Sequence, residues 1–188
     1  MSRPVLVTLH GGCFVGGSAE WDSKQTAALR ECGFDVVQLE FPRSNLVETL
    51  AWIRDAVASC PRPRLVLGRS SGGFLAKCLL DDGTFDRAAY LAPVFSPLLR
   101  AELVPALGTK AAPFFDTLKQ VQIPTTHTWQ PLKEALFLAT HDSNVPDALF
   151  TLEQLGAAVR PGPQTHQGVI TSTSTALLGA LQSFFTIL

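Results

Sequence analysis

Short β-branched or leucine-rich runs alternate along this chain with longer segments of helical period, the pattern of a parallel sheet covered by helices. The strand-like runs are Val5 to Leu9, Asp35 to Leu39, Arg64 to Leu67, Arg87 to Leu91, Glu134 to Thr140 and, weakly, Ala158 to Arg160. Between them, Asp22 to Glu31 reads as a helix stopped by Gly33, and Asn45 to Ser59 as a second, with Asn45 as N-cap and Glu48 in a capping-box position. Leu46, Leu50, Ile53 and Val57 put one apolar face on that helix. Gly72 to Leu80, Asp147 to Leu155 and Ser172 to Phe185 complete the set. The expected fold class is α/β, a three-layer α/β/α sandwich of about six mostly parallel strands in the order 2-1-3-4-5-6, with the site at the C-terminal strand ends. A length of 188 residues fits a single domain over 1–188. From Pro93 to Pro131 the alternation stops, and a loop that long inside a compact domain is usually functional, so 93–131 is expected to form a small lid.

Composition removes several function classes. Fifteen Lys plus Arg against 16 Asp plus Glu leave a formal charge of −1, and the longest basic cluster is the Pro-spaced pair Arg62 and Arg64. Nucleic acid is therefore not an expected partner. Cys13, Cys32, Cys60 and Cys78 have neither CxxC spacing nor a Cys/His cluster, so no metal site is expected and reduced buried thiols fit best. The runs Val5 to Leu9 and Ala176 to Leu188 are too short for a signal-peptide core and a membrane span, and the expectation is a soluble, cytoplasmic protein.

The third strand runs straight into Gly68-Arg69-Ser70-Ser71-Gly72-Gly73 and then into the apolar residues Phe74, Leu75, Cys78 and Leu79. This is G-x-S-x-G in a strand–turn–helix setting, where small residues flank a nucleophile carried on a tight, strained turn. Ser70 is the expected nucleophile, since the glycine frame centres on it rather than on Ser71. The bland alternative is an ordinary glycine-capped turn.

A second glycine loop, His10-Gly11-Gly12-Cys13-Phe14-Val15-Gly16-Gly17-Ser18, follows the first strand. Its outer spacing matches a phosphate-binding loop, but Gly17 stands where that motif has its lysine. The favoured reading is an oxyanion loop, in which the Gly12 N–H, with Gly11 and Cys13 as neighbours, joins the N–H of Ser71. His10 is expected to order the loop, and Cys13 to be a packed thiol.

An activated serine needs a histidine base and a carboxylate to orient it. Behind an elbow of this kind the chain order is Ser, acid, His. Asp142 follows the strand Ala135 to Thr140 in His141-Asp142-Ser143-Asn144-Val145-Pro146 and is the expected acid; Asp147 suits a first helical turn. Among the four histidines only His166 follows Asp142, in a loop before the last helix, and it is the expected base.

Together these stretches resemble the α/β-hydrolase superfamily, most closely its hormone-sensitive-lipase-like esterases and the related kynurenine formamidases and small carboxylesterases. The resemblance spans His10 to Ser18, Val36 to Val57, Gly68 to Gly73, Ala92-Pro93, His141 to Pro146 and His166. It implies a minimal α/β-hydrolase fold that starts at the family's third strand, without the two N-terminal strands or a cap, and a Ser-His-Asp mechanism needing no cofactor. The sequence departs from the pattern at Cys13, where many relatives have a third glycine, at Ser71, where many have alanine, and at Gln167, where an aromatic or glycine is frequent.

The combined expectation is a serine hydrolase acting on a short-chain or small aryl carboxylic ester, with a small arylformamide-type amide as alternative substrate. Phe14, Cys13 and Arg69 are expected to touch substrate, and Trp21, Phe95, Phe114, Phe115 and Trp129 either line an apolar pocket or belong to the core. The exposed sheet edges left by the absent strands point weakly to a homodimer. Two rival readings are a non-catalytic ligand-binding protein on a hydrolase scaffold and a nucleotide-binding α/β protein using Gly11 to Ser18.

Overall fold

A computed structural model of the chain describes residues 3–12, 16–42, 45–97, 116, 128–162 and 164–186. Six parallel strands form one sheet: β1 (Val5–Leu9), β2 (Asp35–Leu39), β3 (Leu65–Arg69), β4 (Arg87–Leu91), β5 (Glu134–Phe137) and β6 (Ala158–Val159), in the spatial order β2-β1-β3-β4-β5-β6. That is the expected order. The register places Leu6 between Val36 and Leu65, and Gly68 between Leu9 and Tyr90, so the C-terminal ends of β1, β3 and β4 come out level.

The period of two along each strand sorts side chains into two cores, one on each face of the sheet. Val5, Val7, Leu9, Val66, Ala88 and Tyr90 face one side. There they pack on Leu46, Ile53 and Val57 of α2 (Leu46–Val57) and on Phe74, Leu75 and Leu79 of α3 (Ser71–Asp81). Leu6, Leu65, Leu67, Ala89, Leu91 and Phe137 face the other, against Leu29 of α1 (Ser23–Glu31) and Leu177, Leu181 and Phe185 of a C-terminal helix, Thr175–Thr186. Asn45 caps α2 by accepting from the Glu48 N–H at 2.9 Å, as its sequence position predicts.

The third strand runs to Arg69 and the last helix starts at Thr175, and three further boundaries differ from the sequence reading. The helix expected over 147–155 is split into a 3-10 turn, Asp147–Leu149, and α4 (Leu152–Ala157). The cause is Thr151, which accepts from the Gln154 N–H while the Gln154 side chain accepts from the Thr151 N–H, a capping box that starts a new helix. The strand expected to reach Thr140 ends as a ladder at Phe137, although Leu138 still donates to the Val159 carbonyl at 2.9 Å. The loop expected around His166 instead winds into α5 (His166–Ile170), capped by Thr165, which makes the C-terminal helix α6. Most of the expected lid, 98–115 and 117–127, lies outside the described residues.

Glycine does different work at different positions. A Cβ on Gly72 would stand 2.4 Å from the Leu9 carbonyl oxygen and 2.5 Å from that of His10, whereas one on Gly179, inside α6, would meet nothing within 4 Å. Gly72→Ala is expected to lower the unfolding free energy by about 2 kcal/mol or more, since backbone must move. Gly179→Ala should raise it by about 0.5–1 kcal/mol through helix propensity. Urea denaturation midpoints of the two variants, which should shift in opposite directions, check both.

Candidate active site

Ser70 occupies the step from β3 into α3 with φ 50° and ψ −121°, a backbone conformation costly for any residue with a side chain. Close packing leaves the chain little alternative. A Cβ on Gly68 would lie 2.7 Å from the Gly72 carbonyl oxygen, and one on Gly73 2.4 Å from Cβ of Pro93. Main-chain bonds fix the turn: the Ser70 N–H donates to the Leu91 carbonyl at 2.9 Å, and the Ser70 carbonyl accepts from Gly73 at 2.9 Å and Val94 at 3.0 Å. Ser70 thus stands at the positive N-terminal end of α3, where Ser71 begins the helix with an N–H that has no intrahelical acceptor.

Asp142 and His166 reach Ser70 from the far side of the sheet. Beyond β5 and β6 the two chain segments stay zipped: the His141 N–H donates to the Gln164 carbonyl at 3.1 Å, and His141 bridges Thr165 in parallel. One residue further on each side come Asp142 and His166. Asp142 Oδ1 accepts from the N–H groups of Asn144 and Val145, both at 2.9 Å, which turns Oδ2 toward the imidazole. His166 Nδ1 donates to that Oδ2 at 2.8 Å, and because a carboxylate only accepts, Nε2 is left to accept the Ser70 hydroxyl at 3.0 Å. The side chains of His166 and Asp142 are 11% and 7% exposed, so this hydrogen-bonded chain is shielded yet open at one end. Asp147, the other carboxylate of that stretch, is engaged elsewhere, accepting from Arg160 Nη2 at 2.9 Å through both oxygens.

The glycine loop closes over the serine. A Cβ on Gly11 would stand 2.9 Å from Cβ and 3.6 Å from Oγ of Ser70, and Gly12, with φ +127°, accepts through its carbonyl from Gly16 at 3.0 Å. His10 has the ordering role expected of it: buried and stacked on Phe41 at 4.3 Å, it donates from Nδ1 to the Gly11 carbonyl at 2.7 Å. Cys13 and Phe14 lie outside the described residues. A cavity of about 200 Å³ opens above Ser70, and Gly11, Gly12 and His166 line it together with Trp21, Asp22, Val94, Val145 and Ile170. Of the aromatics weighed from sequence, Trp21 reaches this cavity, Phe95 and Trp129 belong to the core, and Phe114 and Phe115 lie outside the described residues.

Arg69 is not where the sequence reading put it. A residue next to the nucleophile was expected at the substrate; instead its side chain points away from the cavity and is wholly buried, because successive strand residues face opposite sides of the sheet. Its Nε donates to Gln25 at 2.7 Å, and Nη1 lies 3.3 Å from Asp22 Oδ2. Gln25 in turn donates to the Ser172 carbonyl at 2.7 Å, which ties α1 and the segment before α6 to the elbow. Burial pushes the Asp22 carboxyl up, opposed by the charges of Arg69 and His10, and burial likewise pulls Arg69 down from its usual value. Asp22 was missed from sequence, where it reads as the start of a helix; the only signal is an aspartate just beyond a glycine loop.

With that geometry in place, comparison with solved structures identifies the scaffold. The chain superimposes on esterase B from Lactobacillus rhamnosis with a TM-score of 0.71, 18% identity, and coverage of 98% of this chain and 77% of that one. Polyneuridine aldehyde esterase matches with a TM-score of 0.70 at 14% identity, covering 96% of this chain and 98% of the other. An extracellular α/β-hydrolase from a Paenibacillus species gives 0.60 at 13% identity, with 97% of each chain covered. The chain has the α/β-hydrolase fold. No family model and no curated protein matches the sequence.

The buried pair under the elbow makes a stability prediction. Arg69→Met leaves the Asp22 carboxylate buried without its counter-charge and should cost about 3–5 kcal/mol of unfolding free energy. The double variant Asp22→Leu/Arg69→Met, which removes both charges, should recover most of that loss in chemical denaturation.

Proposed function

We propose that the protein is a serine hydrolase that cleaves a small carboxylic ester through an acyl-enzyme. The observation that carries this reading is the unbroken chain of hydrogen bonds from Ser70 Oγ through His166 to Asp142, with distances of 3.0 and 2.8 Å. Esterases among the structural neighbours agree with it.

In this mechanism Ser70 Oγ attacks the ester carbonyl as His166 Nε2 takes its proton, and Asp142 holds the imidazole in the required tautomer and stabilises it once charged. Negative charge then develops on the carbonyl oxygen. The N–H groups of Ser71, at the start of α3, and Gly12, with Gly11 beside it, are the donors that meet this charge, and one such donor contributes about 3 kcal/mol to the transition state. His166 next protonates the leaving alkoxide. Water, activated by the same imidazole, attacks the acyl-enzyme and releases the acid, which returns Ser70 to its starting state. No bond in this sequence calls for a metal or organic cofactor.

The cavity is smaller than the roughly 300–1,000 Å³ of sites for drug-sized ligands, which favours compact esters. A phosphonate ester probe should label the wild type at Ser70 and leave Ser70→Ala untouched, as read by intact mass. On short-chain p-nitrophenyl esters, Asp142→Asn should keep its far-ultraviolet circular dichroism and lose about 10⁴ in kcat, because the imidazole would then adopt the wrong tautomer. Absence of both labelling and turnover in the wild type would sink the hydrolase reading. Formyl-amide substrates assayed in parallel distinguish ester from amide preference.

A further inference from the structure

We propose that Asp22 is a specificity-determining residue of this site, whose carboxylate accepts a hydrogen bond from a neutral donor on the substrate, a hydroxyl or an amide N–H. This rests on the hydrolase reading of Ser70 and deepens it. Asp22 lines the same cavity as Ser70 and His166, and its side chain is 5% exposed. It stands at the N-cap position of α1, where an aspartate ordinarily accepts from the helix N–H groups, yet it makes no such bond. The carboxylate turns instead toward Arg69 Nη1 at 3.3 Å.

That contact balances charge without satisfying hydrogen bonds. Neither Nη1 nor Nη2 of Arg69 has a hydrogen-bond partner, and among the described residues no group donates a hydrogen bond to Asp22. Asp22 is therefore a compensated charge with spare acceptor capacity at the wall of a reaction cavity. Water can fill that capacity in the free protein, and a ligand hydroxyl or N–H can replace the water without loss. A cation is disfavoured, because the guanidinium directly behind the carboxylate repels an ammonium. Trp21, Val94, Val145 and Ile170 make much of the wall apolar; besides Ser70 and His166 its other polar side chains are His10, Asn144 and Gln167, the last two exposed, so Asp22 is the buried carboxylate acceptor of that wall. An analogue without the donor leaves the carboxylate buried and dry, and sites of this kind discriminate strongly.

Isosteric ester pairs that differ by hydroxyl against methyl test the proposal. On the acyl side these are p-nitrophenyl 3-hydroxybutyrate and p-nitrophenyl 3-methylbutyrate; on the alcohol side, 2-hydroxypropyl butyrate and 2-methylpropyl butyrate, followed by pH-stat. In at least one pair the wild type should favour the hydroxyl member in kcat/KM by about tenfold or more. Asp22→Leu/Arg69→Met should erase or reverse that preference. Equal rates within both pairs for the wild type, a result that needs no variant to fold, overturn the proposal, as does a preference that survives in the double variant. Turnover without discrimination removes the role of Asp22 alone; no turnover of any of these esters and no phosphonate labelling removes the hydrolase reading, and this inference with it.

Discussion

Everything at the site depends on the strained turn at Ser70. A non-glycine residue at φ 50° is held against a cost on the order of 1–3 kcal/mol. The surroundings over-determine it: three main-chain hydrogen bonds reach Ser70, and the glycines on either side bring β3, α3, the end of β1 and Pro93 to distances no Cβ would allow. Ala92, itself at φ 44°, turns the chain after β4 so that Pro93 meets Gly73 and Val94 donates to Ser70. One strained residue thus supports another. Relaxing either would swing the serine hydroxyl away from the imidazole, so the conformation costs stability and gives position.

The other two members of the chain are placed by a different device. Asp142 and His166 sit on segments joined by main-chain bonds that run on past the last ladder, from Leu138–Val159 to His141–Gln164. Their spacing is set by backbone, and the Asp142 carboxylate is aimed by two further backbone N–H groups. His141, itself exposed, joins the two segments through its main-chain N–H, and the Arg160 side chain ties them again by donating to the Ala139 carbonyl at 2.7 Å.

This division explains what was legible in the sequence. The strands, both faces of the sheet and the elbow follow from periodicity and from glycine spacing, because both are direct consequences of backbone geometry. Asp142 and His166 were legible only through chain order, since nothing local marks them, and the structure brings both to Ser70. Two helix starts were misread where a local cap, rather than the apolar period, decides the boundary. The Thr151 and Gln154 capping box broke one expected helix, and His166 itself begins a helix because Thr165 caps it. Arg69 was misplaced because adjacency in sequence was read as adjacency in the site, whereas alternation along β3 sends its side chain under the sheet.

Arg69 and Asp22 show why a buried charge can persist beside the cavity above Ser70. As a stabilising element the pair is a poor choice: both groups are shifted by burial against their charged forms, and an apolar pair of similar volume would match it. Its value lies in what it holds. Through Gln25 and the Ser172 carbonyl the guanidinium links α1, the elbow and the segment following α5, the helix that begins with His166. The same pair sets a carboxylate into the cavity wall without giving the cavity a net negative charge. A lone buried aspartate there would repel the oxyanion of the proposed mechanism; one neutralised from behind can bind a donor and leave that charge to the backbone N–H groups.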